Sequence, residues 1–283
     1  MPPPPATLIV LPQSHYCDRA AWALTAAGVP FTRSAHAVPT YLLFTQLAHG
    51  SRGTPILMRQ PAPGATAAPP PLLSSDAIVE WLATAVEPRL AAPAKTDADL
   101  EARLSQRLGV HARRWAYFHV LATPGMLARL SSAGLGAVEG AVYKVALATG
   151  AVEAYLRRGL SIDEASAERS LVVVKKLFEE VGVGGKAKDA DGCASMHERR
   201  VYLGGDGSRL TTLDITWGAL AAPVLFPPGH YARVAGQPVA LTEMPAAYQR
   251  EVLELRATPA GEYGVWLMEH VRWSAGGGMP AKM

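Results

Sequence analysis

The chain has 283 residues, enough for one large domain or two smaller ones, and its 49% hydrophobic and 18% charged residues are the balance of a protein with a packed core. Glycine and proline are frequent, at 26 and 23 residues, yet stay below the level of low-complexity or fibrous chains. A net charge of +3 with scattered basic pairs, such as Arg113-Arg114 and Lys175-Lys176, lacks the clustered stripe of a nucleic-acid binder, and two cysteines, Cys17 and Cys193, are too few for a disulfide scaffold and point to a reducing, cytoplasmic compartment.

The run Met1-Pro2-Pro3-Pro4-Pro5 has neither the basic nor the long apolar region of a secretion signal. Residues 7–11 form a short apolar run bounded by prolines and predict a buried strand. Residues 14–27 predict a helix: Ser14 is an N-cap, Asp18 lies near the start and Gly28 occupies the C′ position. A second strand is predicted at 29–32, a short helical or irregular piece at 39–48, and a third strand at 54–58 with proline near its start. Residues 60–71, rich in proline and alanine, read as a loop, 71–73 as a very short fourth strand, and 74–85 as a helix with a serine cap.

After Pro88 the pattern becomes helical, beyond a linker at 91–95. A long helix is predicted over 97–121. No apolar run reaches the ~18 residues of a membrane span; residues 134–156 come nearest, interrupted by Glu139, Lys144 and Glu153. Ser161-x-x-Glu164 has the form of a capping box for a helix to about Val181. Residues 182–195 read as a loop, 210–223, 245–255 and 260–271 as helices, and 276–283 as a disordered tail. The predicted fold is thus a small α/β unit followed by an all-helical unit.

Three segments, in order, resemble the glutathione transferase superfamily, and together they span most of the chain. Ser14-His15-Tyr16-Cys17-Asp18-Arg19-Ala20-Ala21-Trp22-Ala23-Leu24 resembles the first-helix run of serine- and cysteine-type enzymes, with His15 in place of the frequent proline and Ala21 in place of a second arginine. Gly53-Thr54-Pro55-Ile56-Leu57 and Leu73-Ser74-Ser75-Asp76-Ala77-Ile78 resemble the glutathione-site turn and helix, with Ser74 where glutamate or glutamine is usual. Tyr202-Leu203-Gly204-Gly205-Asp206, then Leu210 to Ile215, resembles the segment before the buried helix of the second domain. The resemblance implies a thioredoxin-like glutathione-binding domain over 1–90, a helical-bundle domain over 97–275, glutathione as co-substrate and a homodimer.

It also implies the chemistry. Glutathione must be presented as a thiolate, because the thiolate is the nucleophile. Lowering a thiol pKa of ~8.5 by about two units takes roughly 2.7 kcal/mol. A hydroxyl donating to the charged sulfur supplies about 1.5–3 kcal/mol of that, and the resemblance places Ser14 in this role; the plainer reading makes Ser14 only a helix cap. Cys17, one turn further on, reads as a small buried apolar group, with redox chemistry through a mixed disulfide as the alternative. The resemblance makes Pro55 cis, so that the Thr54 backbone pairs with the cysteinyl backbone of glutathione. Ser74, Ser75 and Asp76 would take its γ-glutamyl end, with pairing to the helix dipole as the other reading of Asp76; Arg52 reads first as a solvated loop arginine, with the glycyl carboxylate as the alternative. Thr211 and Asp214 read as a structural capping pair. An electrophile pocket is expected against the first long helix, with Trp115 and Phe118 as its lining. The eight histidines show no metal-binding spacing, so no metal is expected.

The expected function is therefore transfer of glutathione to an electrophilic small molecule. Two alternatives stay open: a non-catalytic protein of the same fold that binds a partner, and a glutathione-dependent isomerase or reductase.

Overall fold

A computed structural model describes residues 6–47, 49–61, 67–92, 94–186, 202–204 and 207–273. Strand β1 (Ala6–Val10) is central to a three-stranded sheet of order β2-β1-β3. It runs parallel to β2 (Phe31–Ala35), with Ala6 opposite Phe31, and antiparallel to β3 (Ile56–Met58), with Ile9 opposite Ile56. The second strand starts two residues later than its apolar run predicts, because Pro30 has no N–H for the ladder; its carbonyl accepts from Ala6 N–H instead at 3.0 Å. The polar Arg33 and Ser34 belong to the strand because it is an edge.

The fourth strand predicted at 71–73 is a single antiparallel bridge, Leu72 to Leu57. Pro71 before it has no N–H to extend the ladder.

Helix α1 (His15–Ala26) connects β1 to β2 and buries every side chain from Cys17 to Leu24. Ser14 caps it, and Gly28, at φ +67°, closes it, with Val29 N–H reaching Leu24 O. Helix α2 (Ser75–Trp81) is capped by Ser74 and continues into a wide π-type turn at Leu82–Val86.

The rest is helical: α3 (Lys95–Arg103), α4 (Gly109–Ala122), α5 (Met126–Ser131), α6 (Ala137–Ala148), α7 (Ala151–Leu160), α8 (Glu164–Lys186), α9 (Thr212–Leu225), α10 (His230–Val234), α11 (Ala246–Arg256) and α12 (Pro259–Trp266). The predicted 97–121 helix is α3 and α4 joined through a wide turn at Leu104–Leu108. The 134–156 stretch is broken by Gly150 in the left-handed region, and among the described residues no helix is long and apolar enough to cross a membrane.

The capping box lies two residues beyond Ser161. Ser161 is itself left-handed, at φ 52°, and closes α7. Asp163 and Ser166 form the reciprocal pair instead: Ser166 N–H donates to Asp163 Oδ1 at 2.7 Å, and Asp163 N–H to Ser166 Oγ at 3.1 Å. Residues 182–186, predicted as loop, extend α8; the rest of that predicted loop and the 276–283 tail lie outside the described residues, as do Cys193, Gly205 and Asp206.

Helix α9 is buried on all sides and is the axis of the molecule, packed by α1, α4, α11 and α12. It packs tightly on α1 at Gly218, where an added Cβ would stand 2.7 Å from the Trp22 ring. The Thr211–Asp214 pair caps α9. Asp214 Oδ2 accepts from Thr211 N–H and hydroxyl, both at 2.8 Å, and Oδ1 accepts from Leu203 N–H and the Tyr263 hydroxyl. The mixed sheet with α1 and α2, followed by this bundle, is a thioredoxin-like unit and a helical unit in the order the sequence predicts.

Candidate active site

The first turn of α1 forms one wall of a cavity of about 280 Å³ between the sheet unit and the helices. Ser14 and Thr54, forty residues apart, both line it. Ser14 is half-buried, in extended backbone geometry, and its Oγ accepts from Cys17 N–H at 3.4 Å. That bond uses a lone pair, so the hydroxyl proton is left to donate. The Thr54–Pro55 bond is cis, as is Val38–Pro39. Thr54 N–H and C=O join neither the ladder nor any other backbone hydrogen bond among the described residues.

Cys17 lies beneath this wall with 3% exposure. Burial pushes its thiol up, against hydrogen bonds to Ser14 and Thr54. A buried neutral thiol is a packing group, not a nucleophile. Arg52 lines the cavity from an exposed position, with its Nε on Gln46 Oε1 at 3.0 Å.

The α2 residues occupy a separate corner. Ser74, exposed, receives Ala77 N–H on its Oγ at 3.1 Å. Ser75 is buried, and its hydroxyl is turned inward to Arg19 at 3.3 Å. Asp76 accepts from Arg19 and from the Ser105 hydroxyl at 2.6 Å; against the effect of burial, these partners hold its carboxyl below the usual range.

Arg19 is the residue that sequence reasoning passed over. Its guanidinium, 2% exposed, also reaches Glu101 Oε1 at 3.0 Å and Thr216 Oγ1 at 2.8 Å, tying α1 and α2 to α3 and α9. The signal was present: an arginine beside Ala20, Ala21, Trp22 and Ala23, on a helix with no polar face, must have buried partners.

His15, where proline is frequent in the family resembled, clamps α1 to α4. Its Nε2–H donates to Gly109 O at 2.9 Å, since a carbonyl only accepts. Tyr16 lies against the same glycine: an added Cβ would stand 2.3 Å from its hydroxyl oxygen. Burial and the nearby Arg113 push the His15 pKa down from 6.5 to about 3, so the ring is neutral.

Trp115 does not line the cavity. It is 3% exposed and stacks on Tyr248, with ring centroids 4.7 Å apart, in the helical core. Phe118 meets His119 edge-on at 5.2 Å and also lies off the cavity. The cavity face of α4 carries Arg113 and Tyr117. At ~100° per residue, positions 113 and 117 share a face and 115 points the opposite way.

Two fully buried histidines, together with His119, which burial also takes to about 4, shape the acid response. Burial takes His230 to about 4, as it takes His15 to about 3. Both folded values lie below the 6.5 of the free side chain, so below that pH the unfolded chain binds more protons. Stability present at neutral pH is therefore lost as pH falls toward about 4, each such histidine adding at most ~1.4 kcal/mol per pH unit to the slope. Urea unfolding across this window checks it, and His15→Gln is expected to make the slope shallower by up to ~1.4 kcal/mol per pH unit. A stability flat across this window would refute the burial of both rings.

No family model matches the chain, and no curated protein matches it. Solved structures of similar fold include a glutathione transferase family member from Pseudomonas fluorescens with two glutathione bound, at 16% identity and a TM-score of 0.47, covering 92% of each chain. A second is a glutathione S-transferase from Methylobacterium radiotolerans in complex with glutathione sulfonate, at 16% identity and a TM-score of 0.48, covering 93% of this chain and 95% of that one. A third is FzlA from C. crescentus, at 15% identity and a TM-score of 0.47, covering 91% and 90%. The chain pairs a small mixed sheet carrying two helices with a helical bundle that follows it.

Proposed function

We propose that the protein conjugates glutathione to electrophilic small molecules, with Ser14 holding the thiolate. The convergence of Ser14 and the unpaired Thr54 backbone on one cavity supports this reading most. Thr54 N–H and C=O pair with the cysteinyl backbone as a strand edge would. The Ser14 hydroxyl then donates to the sulfur. The γ-glutamyl end lies toward α2, where the outward-facing part of Asp76 takes the ammonium and the first-turn N–H groups behind Ser74 and Ser75 take the carboxylate. The thiolate attacks the electrophilic carbon, the C–S bond forms, and the leaving group departs with its bonding pair; the thiol proton has already passed to water. The same reading makes the protein a cytoplasmic homodimer.

Isothermal calorimetry with millimolar glutathione tests it, with binding heat and a raised melting temperature expected. No heat and no shift would favour a partner-binding protein of the same fold. That second reading draws on the Ser75 hydroxyl, already engaged by Arg19, and on an exposed apolar stripe of α6, where Val138, Val142 and Val145 are 80%, 52% and 65% exposed. A substrate panel separates transfer from isomerase or reductase activity.

A further inference from the structure

The cavity beside Ser14 is charged on one side only. Among the described residues, two arginines, Arg52 and Arg113, line it, and no aspartate or glutamate does. Arg52 is exposed and has a side-chain partner. Arg113 differs: it is half-buried, its Nε is out of reach of solvent with no hydrogen-bond partner, and it forms no ion pair among the described residues.

Its neighbour Arg114 shows what a structural arginine looks like in this helix. Arg114 Nε donates to Leu160 O at 3.0 Å, and Nη1 to Ser170 Oγ at 3.4 Å. The fully buried guanidiniums, Arg19 and Arg272, each meet a carboxylate at 3.0 Å. Arg113 instead lies over the Tyr16 ring, with its centroid 5.9 Å away. The neutral His15 beside it neither competes for an anion nor supplies one.

A guanidinium that is partly desolvated and unpaired lacks the acceptors it would have in water. Its planar fork of donors matches a carboxylate in two parallel hydrogen bonds. Tyr41, Tyr117 and Tyr155 line the same space. That combination takes a flat ring bearing an anionic group.

We infer that Arg113 selects the second substrate, and that this substrate is an aromatic electrophile carrying a carboxylate. The inference rests on the proposed use of the cavity for conjugation, and it names the substrate class for that site.

The test compares 4-chloro-3,5-dinitrobenzoate with its methyl ester, which differ in charge but share a reactive carbon. Dissociation constants are measured by calorimetry on protein saturated with S-methylglutathione, which cannot be conjugated. The wild type is expected to bind the acid about 10–100-fold more tightly than the ester, the range of a hydrogen-bonded charge. Arg113→Ala and Arg113→Gln are expected to lose the preference, and Arg113→Lys to keep part of it. A wild type that binds the two equally, or binds neither, would overturn the inference, as would a preference that survives in both neutral variants. So would a loss confined to S-methylglutathione affinity, because it would place the guanidinium on the tripeptide. If S-methylglutathione gives no heat, the conjugation reading fails by itself; the acid-to-ester ratio, taken on the free protein, still decides the role of Arg113.

Discussion

Replacing Arg19 by methionine is expected to cost about 3–5 kcal/mol of folding stability, the usual loss when one member of a buried ionic network is removed. The side chain is 2% exposed and donates to five groups on α2, α9 and the α3–α4 segment. Asp76, with a side chain 62% exposed, recovers water when the arginine is gone, and so contributes little to the loss. Glu101, 13% exposed, does not, and retains only the hydroxyls of Thr212 and Thr216, at 2.6 and 3.0 Å. The stranded Glu101 therefore dominates the effect and places it near the lower end of the range. Arg19→Met combined with Glu101→Met is expected to be more stable than the sum of the single losses, because neither charge is then left buried alone. Urea unfolding of the wild type, both single variants and the double variant measures this. Additive losses, or a single loss below about 1 kcal/mol, would show that the network is not a unit. The same guanidinium positions Ser75 and Asp76, so the variant is also expected to bind glutathione more weakly in the function proposed here.

Local signals carried much of the fold. Ser14 and Gly28 bracket α1 because a cap and a C′ glycine each act within a few residues, and the Thr211–Asp214 pair is legible for the same reason. Where two local signals compete, the tertiary structure chooses. Ser161 has the spacing of a cap but is used to end α7, which moves the capping pair to Asp163 and Ser166. The strand at Phe31–Ala35 was displaced because its polar half reads as loop until the edge of a sheet is there to hold it. The candidate site divides the same way. Ser14 and Thr54 were legible through motifs. The Arg19 network, with partners as far away as Thr216, has no local spacing to read. On α4, ring-bearing residues drew attention to Trp115 and Phe118, but burial sends Trp115 to the core and leaves Arg113 and Tyr117 facing the cavity.

Ser14→Ala is expected to lower the conjugation rate about 10–100-fold at neutral pH, which is the loss of one charge-assisted donor of about 1.5–3 kcal/mol. The bound thiol pKa rises by roughly 1–2 units as a result, since about 1.36 kcal/mol corresponds to one unit. The rate should therefore recover in part as pH increases, when hydroxide generates the thiolate without the serine. Glutathione affinity should change little, because the Thr54 backbone and the α2 groups are untouched. The capping role predicts something different. The bond from Cys17 N–H to Ser14 Oγ is long, at 3.4 Å, so its loss costs toward the lower end of the ~0.5–2 kcal/mol of a helix cap. A cap also acts on the melt and leaves the acidity of a bound ligand alone. Thiolate absorbance of bound glutathione, followed against pH in the wild type and in Ser14→Ala, distinguishes the two. Curves displaced by a unit or more with nearly equal melting temperatures make Ser14 the thiolate's donor, whereas superimposed curves with a lowered melt leave it as a cap and move the chemistry to another group in the cavity.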